Sequence, residues 1–303
     1  MSLKIVFMGT PEFSVPTLEG LIQNKFNIIK VYTQPPKKSK RGQKINKSPI
    51  AEVSIKNKID ILTPYNLNTK EELKIFKDLC PDIVLVVAYG QIIPKSFLNI
   101  PKFGFINIHA SLLPKWRGAA PIQRAIMNAD NTIGISIMKI EEKLDSGPIL
   151  ISEKLILDKN NTHGEIEKKL SIMGANLLIK NLKVDRFKFK NQKDSEATYA
   201  KKIDKNEAKI NWNFDAPKVL AHIHGLSPNP GSWFEYDKER FKVLRAEISE
   251  KKGKPGLVLD DHLTIGCKLN SIKILELQRQ GKNKKNTKEF LLGKKINKGQ
   301  ILT

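Results

Sequence analysis

The chain predicts an α/β fold with a doubly wound, mostly parallel sheet, followed by a small β-rich domain. Three observations carry this reading. Short apolar strands alternate with helical stretches from the N-terminus to about residue 182, the pattern of a parallel sheet covered by helices. Ile83–Val87 is apolar throughout, as expected of a strand buried on both faces. From Ile210 onward the texture changes to short apolar runs separated by Gly, Asp and Asn, which suits a closed or curled antiparallel sheet. The expected architecture is therefore a Rossmann-like N-terminal domain over 1–189, a linker over 190–208, and a β-barrel of OB-like texture over 209–303.

Taken in order, Lys4–Phe7 reads as the first strand, closed by Gly9-Thr10-Pro11. A helix over Ser14–Asn24 puts Leu18, Leu21 and Ile22 on one face, and Ile28–Thr33 is the next strand. Residues 34–49 show no periodicity and predict a long loop. Pro49–Lys58 reads as a helix with proline at its start, and Thr69–Leu79 as another. In Gly104–His109, Phe105, Asn107 and His109 alternate with Ile106 and Ile108, which is strand periodicity. A helix over Pro121–Asn128, strands over Thr132–Lys139 and Ile149–Leu157, and a helix over Thr162–Leu182 complete the first domain. A charged connector spans 183–209. Phe241–Leu244, Gly256–Leu259, Leu263–Ile265 and Ile272–Leu277 are the strand candidates beyond it.

Composition narrows the class. The longest apolar run, Ile83–Tyr89, is far short of the ~20 residues that span a bilayer. The segment Met1–Gly9 reads as a strand rather than a targeting signal. Cys80 and Cys267 stand alone and form neither a disulfide framework nor a zinc motif. A cytoplasmic monomer without a membrane partner is expected. Net charge is +22, with 34 Lys and Arg against 21 Asp and Glu in residues 1–208 and 19 against 10 in 209–303. An excess this large, spread over both parts, points to a polyanion such as nucleic acid.

The chemistry-bearing residues gather around Gly104–Pro121. Asn107 and His109 leave one strand face about 7 Å apart, just before a Pro-, Trp- and Gly-rich loop. Asp145 follows in the turn Leu144-Asp-Ser-Gly-Pro148. Carboxamide, imidazole and carboxylate together can stabilise an oxyanion and move a proton. There is no G-x-G-x-x-G after the first strand, no P-loop, no G-x-S-x-G and no metal-ligand spacing. His222 and His224 lie two apart without a third ligand and suit a structural role. The residues thus predict group transfer to a nucleophile brought by the substrate, with no metal.

Residues 106–126, INIHASLLPKWRGAAPIQRAI, together with Leu144–Gly147, strongly resemble the formyltransferases that use 10-formyltetrahydrofolate. Phe7–Phe13, Tyr32–Pro35, Val87–Gly90, Thr198–Lys202 and Asn229–Trp233 resemble the branch of that family acting on initiator methionyl-tRNA. The resemblance implies formyl transfer from 10-formyltetrahydrofolate, as co-substrate, to the α-amino group of the tRNA-bound methionine, a step of translation initiation. It implies catalytic roles for Asn107, His109 and Asp145. Asn107 would donate to the oxyanion. His109 would shuttle a proton or, as imidazolium, face the oxyanion. Asp145 would hold His109 in orientation or order a water. It implies a folate segment at Ser111, Leu112, Leu113 and Pro114, where two leucines and a proline offer an apolar wall to a flat ring.

The same resemblance assigns the basic loop to tRNA. Lys38, Lys40, Arg41 and Lys44 are its expected contacts, with Arg41 matching the arginine that probes the end of the acceptor stem. The chain departs from the family's usual loop by carrying Pro-Pro-Lys-Lys-Ser-Lys before Arg41. A second basic stretch, Arg279–Lys298, has eight basic residues and one acid, Glu289, and is expected to hold the tRNA body, with Lys201, Lys202 and Lys205 adding a third patch. Siblings that formylate a sugar nucleotide or glycinamide ribonucleotide share the catalytic set and are the alternative reading. So strongly basic a 35–49 loop is not expected in the sugar enzymes, and the ribonucleotide enzyme needs neither that loop nor residues 209–303.

Overall fold

A computed structural model of the chain describes residues 2–39, 44–183 and 187–303. Along the chain the strands and helices run β1 (Ile5–Gly9), α1 (Val15–Gln23), β2 (Ile28–Tyr32), β3 (Lys37–Ser39), β4 (Lys44–Asn46), α2 (Pro49–Lys56), β5 (Ile61–Leu62), α3 (Lys70–Asp78), β6 (Ile83–Val87) and α4 (Lys95–Leu98). They continue with β7 (Phe105–His109), β8 (Arg117–Gly118), α5 (Pro121–Met127), β9 (Thr132–Lys139), β10 (Ile149–Ile156), α6 (His163–Asn181) and β11 (Tyr199–Ala200). The remainder is α7 (Ala216–Leu226), β12 (Ser232–Tyr236), β13 (Glu239–Ser249), β14 (Thr264–Gly266), β15 (Ser271–Arg279), β16 (Lys284–Asn286) and α8 (Thr287–Gly293).

The chain divides into two compact units. The first comprises Met1–Gly118, Gly134–Lys154 and Glu167–Tyr199, and the second Ala119–Ile133, Leu155–Ile166 and Ala200–Thr303. The first is built on a seven-stranded sheet of order β10-β9-β7-β6-β1-β2-β5. Its β1·β2, β1·β6, β2·β5 and β6·β7 pairs are parallel, and β7·β9 is antiparallel. β1 and β6 are buried at every position, which is why their sequences are unbroken apolar runs. On one face Phe76 of α3 stacks on Phe105 of β7 at 5.8 Å and lies 4.8 Å from Phe97. On the other, Gly174 of α6 lets the helix close on the sheet, since a Cβ there would lie 2.8 Å from Ile108. Phe105 thus anchors one face of β7 and Ile108 the other, and this fixes which way Asn107 and His109 point.

Within the stretch expected to be a loop without periodicity, β3 and β4 pair antiparallel, with Lys37 opposite Asn46 and Lys38 opposite Ile45, while residues 40–43 lie outside the described residues. The two strands, Lys-Lys-Ser and Lys-Ile-Asn, are too short and too polar for an apolar alternation to announce them.

The second unit holds a five-stranded antiparallel sheet of order β12-β13-β15-β14, with β16 on β15. Register shifts near Arg245 bend β13, and the sheet curls over α7 as a half-barrel; no pairing of β12 with β14 closes it among the described residues. Phe234, Phe241, Phe290 and Trp212 fill its core with Val219, Leu220 and Ile223 of α7. The run Gly256–Leu259 contributes single bridges, Leu257 to Ile301 and Val258 to Ile265, rather than a strand. No helix of the described residues is long and apolar enough to cross a membrane.

Candidate active site

β7 carries Asn107 and His109 toward its C-terminal end, where β6 gives way to Ala88, at φ 47°, and then to Gly90. Asn107 pairs with Val86 on one side and Met138 on the other. Its carboxamide is half-buried and makes no hydrogen bond among the described residues, so both its N–H groups remain open to a ligand.

His109 is buried, opposite Ser136 of β9. Its Nε2 lies 2.9 Å from the carbonyl oxygen of Trp116. A carbonyl only accepts, so Nε2 carries the hydrogen, and in the neutral ring Nδ1 keeps its lone pair. Trp116 adopts φ 61°, a left-handed conformation rare for a large side chain, and this aims its carbonyl at the ring. The bond that orients His109 therefore comes from a backbone carbonyl. Asp145 stands on the other side, its Oδ2 3.7 Å from His109 Nδ1, beyond hydrogen-bond length but within ion-pair reach. That oxygen accepts from the Gly118 N–H at 2.8 Å, and Asp145 itself sits at φ 46°. A proton taken up at Nδ1 would meet a fixed carboxylate, the arrangement a proton acceptor requires.

The segment after β7 is tied down from below. Ser136, fully buried, donates to the Ser111 carbonyl at 2.8 Å and accepts from the Leu113 N–H at 3.0 Å. The Ser111 hydroxyl donates to the Lys115 carbonyl at 2.6 Å, so it is committed within the loop. Leu113 is buried, while Leu112 and Pro114 are half-buried and leave part of an apolar edge accessible. Leu112 lies over Gly134, where a Cβ would come within 2.6 Å of it. Asn107, His109, Asp145 and Ser111–Pro114 all belong to the first unit.

Three residues of this site escape sequence reading. Trp116 acts through its backbone, Ser136 lies in a strand of ordinary pattern, and Gln192 donates to the carbonyls of Asp145 and Gly147 from far along the chain.

Residues 3–182 match the formyl transferase family model, and 202–295 match the model of the formyl transferase C-terminal domain. The methionyl-tRNA formyltransferase of Pelagibacter ubique (strain HTCC1062) is 52% identical over 308 residues, covering 100% of this chain and 99% of that protein. The chain belongs to the methionyl-tRNA formyltransferase family. Among solved structures, the methionyl-tRNA formyltransferase of Clostridium thermocellum aligns with a TM-score of 0.61 at 22% identity, covering 82% of this chain and 95% of that one. HypX from Aquifex aeolicus, in complex with tetrahydrofolic acid, aligns with a TM-score of 0.68 at 16% identity, covering all of this chain and 51% of that one.

Of the residues expected to meet the tRNA in this family, Lys38 lies in β3 and Lys44 opens β4. Lys40 and Arg41 lie outside the described residues. In the second unit, Lys282, Lys285, Lys288, Lys295 and Lys298 are exposed and make no ion pair among the described residues, whereas Arg279, Lys284 and Lys294 pair with Glu239, Glu276 and Asp237. Arg279, Lys282, Lys285 and Lys294 line a cavity of about 410 Å³ beside Phe290. Lys201 and Lys202 are exposed, and their carbonyls accept from Arg124 at 3.0 and 3.2 Å. His222 and His224 are packed and bonded, to the carbonyls of Glu207 at 2.7 Å and Lys159 at 3.1 Å, which is a structural role.

Proposed function

We propose that the protein transfers the formyl group of 10-formyltetrahydrofolate to the α-amino group of methionine on initiator tRNA, through Asn107, His109 and Asp145. The observation that carries the mechanism is the His109 ring, its Nε2 hydrogen given to Trp116 and its Nδ1 facing Asp145. The amine attacks the formyl carbon, a new C–N bond forms, and the carbonyl oxygen gains charge. Asn107 donates an N–H to that oxygen; one such donor is worth roughly 3–4 kcal/mol. The amine must lose a proton as the bond to folate N10 breaks. His109 Nδ1 accepts it, the Asp145 carboxylate offsets the charge, and the imidazolium then returns that proton to N10 as the tetrahedral intermediate collapses and N10 leaves. The apolar edge of Leu112 and Pro114 suits the folate ring, with backbone groups of Ser111–Pro114 fixing its position.

Lys38, Lys40, Arg41 and Lys44 are assigned to the acceptor end of the tRNA, and the basic residues of 209–303 to its body. The supporting feature is the set of exposed lysines of the second unit that make no ion pair among the described residues, Lys282, Lys285, Lys288, Lys295 and Lys298. The protein is placed in the cytoplasm and acts as a monomer.

Equimolar methionyl initiator tRNA and an amino-sugar nucleotide, offered together with 10-formyltetrahydrofolate, test the acceptor. Mass analysis should find formyl on methionine alone. Formyl on the sugar nucleotide, with the tRNA untouched, would overturn the assignment.

A further inference from the structure

Sequence texture makes residues 183–209 a polar connector, yet part of it is bonded into the catalytic loops of the first unit. Gln192 Nε2 donates to the Asp145 carbonyl at 2.9 Å and to the Gly147 carbonyl at 2.7 Å, bridging the two sides of Ser146. Its Oε1 accepts from Arg117 Nε at 3.0 Å and Nη2 at 2.8 Å. The partners fix which end of the carboxamide is which, since one side offers only carbonyls and the other only guanidinium N–H groups.

Arg117 is itself immobilised. Its side chain is fully buried, its Nη2 pairs with Asp194 Oδ1 at 2.8 Å, and its backbone N–H donates to the Thr198 carbonyl at 2.9 Å. Asp194 also takes Lys143 Nζ at 2.8 Å, which ties the connector to the approach of the Asp145 turn. The next residue, Gly118, supplies the N–H held by the Asp145 carboxylate. The turn is thus gripped through its backbone by Gln192 and through its side chain by Gly118. Asp145 occupies a left-handed conformation, uncommon for non-glycine residues although aspartate adopts it more readily than most. The turn carries its own bonds from Ser146 to the Lys143 carbonyl, and the Gln192 carboxamide adds two more from outside it.

We propose that Gln192 is a positioning residue for formyl transfer, holding the Asp145 turn so that its carboxylate stays beside His109 Nδ1, with Arg117 as its anchor. This rests on the role given to Asp145 above. Gln192 acts through Asp145; its hydrogen bonds among the described residues go to Asp145, Gly147 and Arg117, not to His109.

Gln192→Glu keeps the length and the acceptor facing Arg117, but sets a carboxylate oxygen against two carbonyls. It should lower kcat at least about tenfold, with KM for tRNA and folate within about twofold and the unfolding midpoint near the native one. Asp194→Asn, at the exposed end of the chain of contacts, should lower kcat about threefold. In an Asp145→Asn background neither change should reduce kcat further, because the group being positioned is gone. Native kcat in folded Gln192→Glu would overturn the proposal, as would losses that multiply in the double variant. If Gln192→Glu lacks a cooperative unfolding transition, Asp194→Asn and its double with Asp145→Asn decide on the same terms. Native turnover by Asp145→Asn alone would instead remove Asp145 from the mechanism, and the proposal with it.

Discussion

Gly147→Ala tests how tightly the Asp145 turn must be placed. A Cβ built at Gly147 lies 1.9 Å from the Lys139 carbonyl oxygen and 3.0 Å from its carbon. Lys139 cannot yield, because it ends β9, pairs with Ile106 of β7 and donates its N–H to the Pro148 carbonyl at 2.9 Å. To reach even 3.0 Å, the shortest approach real Cβ atoms make, the turn must retreat by about 1.1 Å. A shift of that size stretches the Gly118–Asp145 bond from 2.8 Å past hydrogen-bond length and breaks the Gln192 bond to Gly147. Loss of these bonds costs about 1–3 kcal/mol of stability, and a misplacement near 1 Å at a reacting group costs roughly 100-fold in rate. Single-turnover formylation of methionyl-tRNA, read beside thermal unfolding, checks both. A folded Gly147→Ala protein within about threefold of the native rate would refute the claim that the carboxylate must be held in place.

Other expectations follow from the same geometry. Ser136→Ala leaves the Ser111 carbonyl and the Leu113 N–H without their buried partner, so denaturant unfolding should show a loss of about 2–3 kcal/mol and the KM for 10-formyltetrahydrofolate should rise. Burial pushes His163 down to about 4, and burial also lowers His222 and His224. Because the unfolded chain then takes up protons first, stability is full above about pH 6.5 and falls as pH drops toward 4. His163 alone should account for about 1 kcal/mol of the decrease between pH 7.5 and 5.5, and His163→Gln should show that much less of it by denaturant titration at the two pH values. Affinity for initiator tRNA should drop tenfold or more between about 50 and 200 mM salt, as measured by filter binding, and a flat response would contradict a phosphate-backbone contact.

The parts of the fold legible in the sequence are those whose burial leaves a pattern. Ile83–Val87 and Thr132–Lys139 form strands with those bounds because every buried strand position had to be apolar or small. The pair β3 and β4 left no pattern, since its six residues include a single apolar side chain, Ile45, too few for an alternation to show. In α7, apolar Ala216, Val219, Leu220, Ile223 and Leu226 carry helical spacing, yet Pro217, Gly225 and two histidines gave that stretch the look of its β-rich surroundings. The site divides the same way. Asn107 and His109 stand out because two polar side chains interrupt an apolar strand, and Asp145 because it sits in a turn beside glycine and proline. The Trp116 carbonyl has no side-chain signature, and Gln192 gains its meaning only from folding that brings residue 192 to residue 145.

The most direct test is the single-turnover rate of N-formylmethionyl-tRNA formation by the native protein and by Asn107→Ala, with 10-formyltetrahydrofolate saturating. The native protein should yield the product, and Asn107→Ala should do so roughly 100- to 1000-fold more slowly while unfolding at the native midpoint. Undiminished transfer by Asn107→Ala, or none by the native protein, would contradict it.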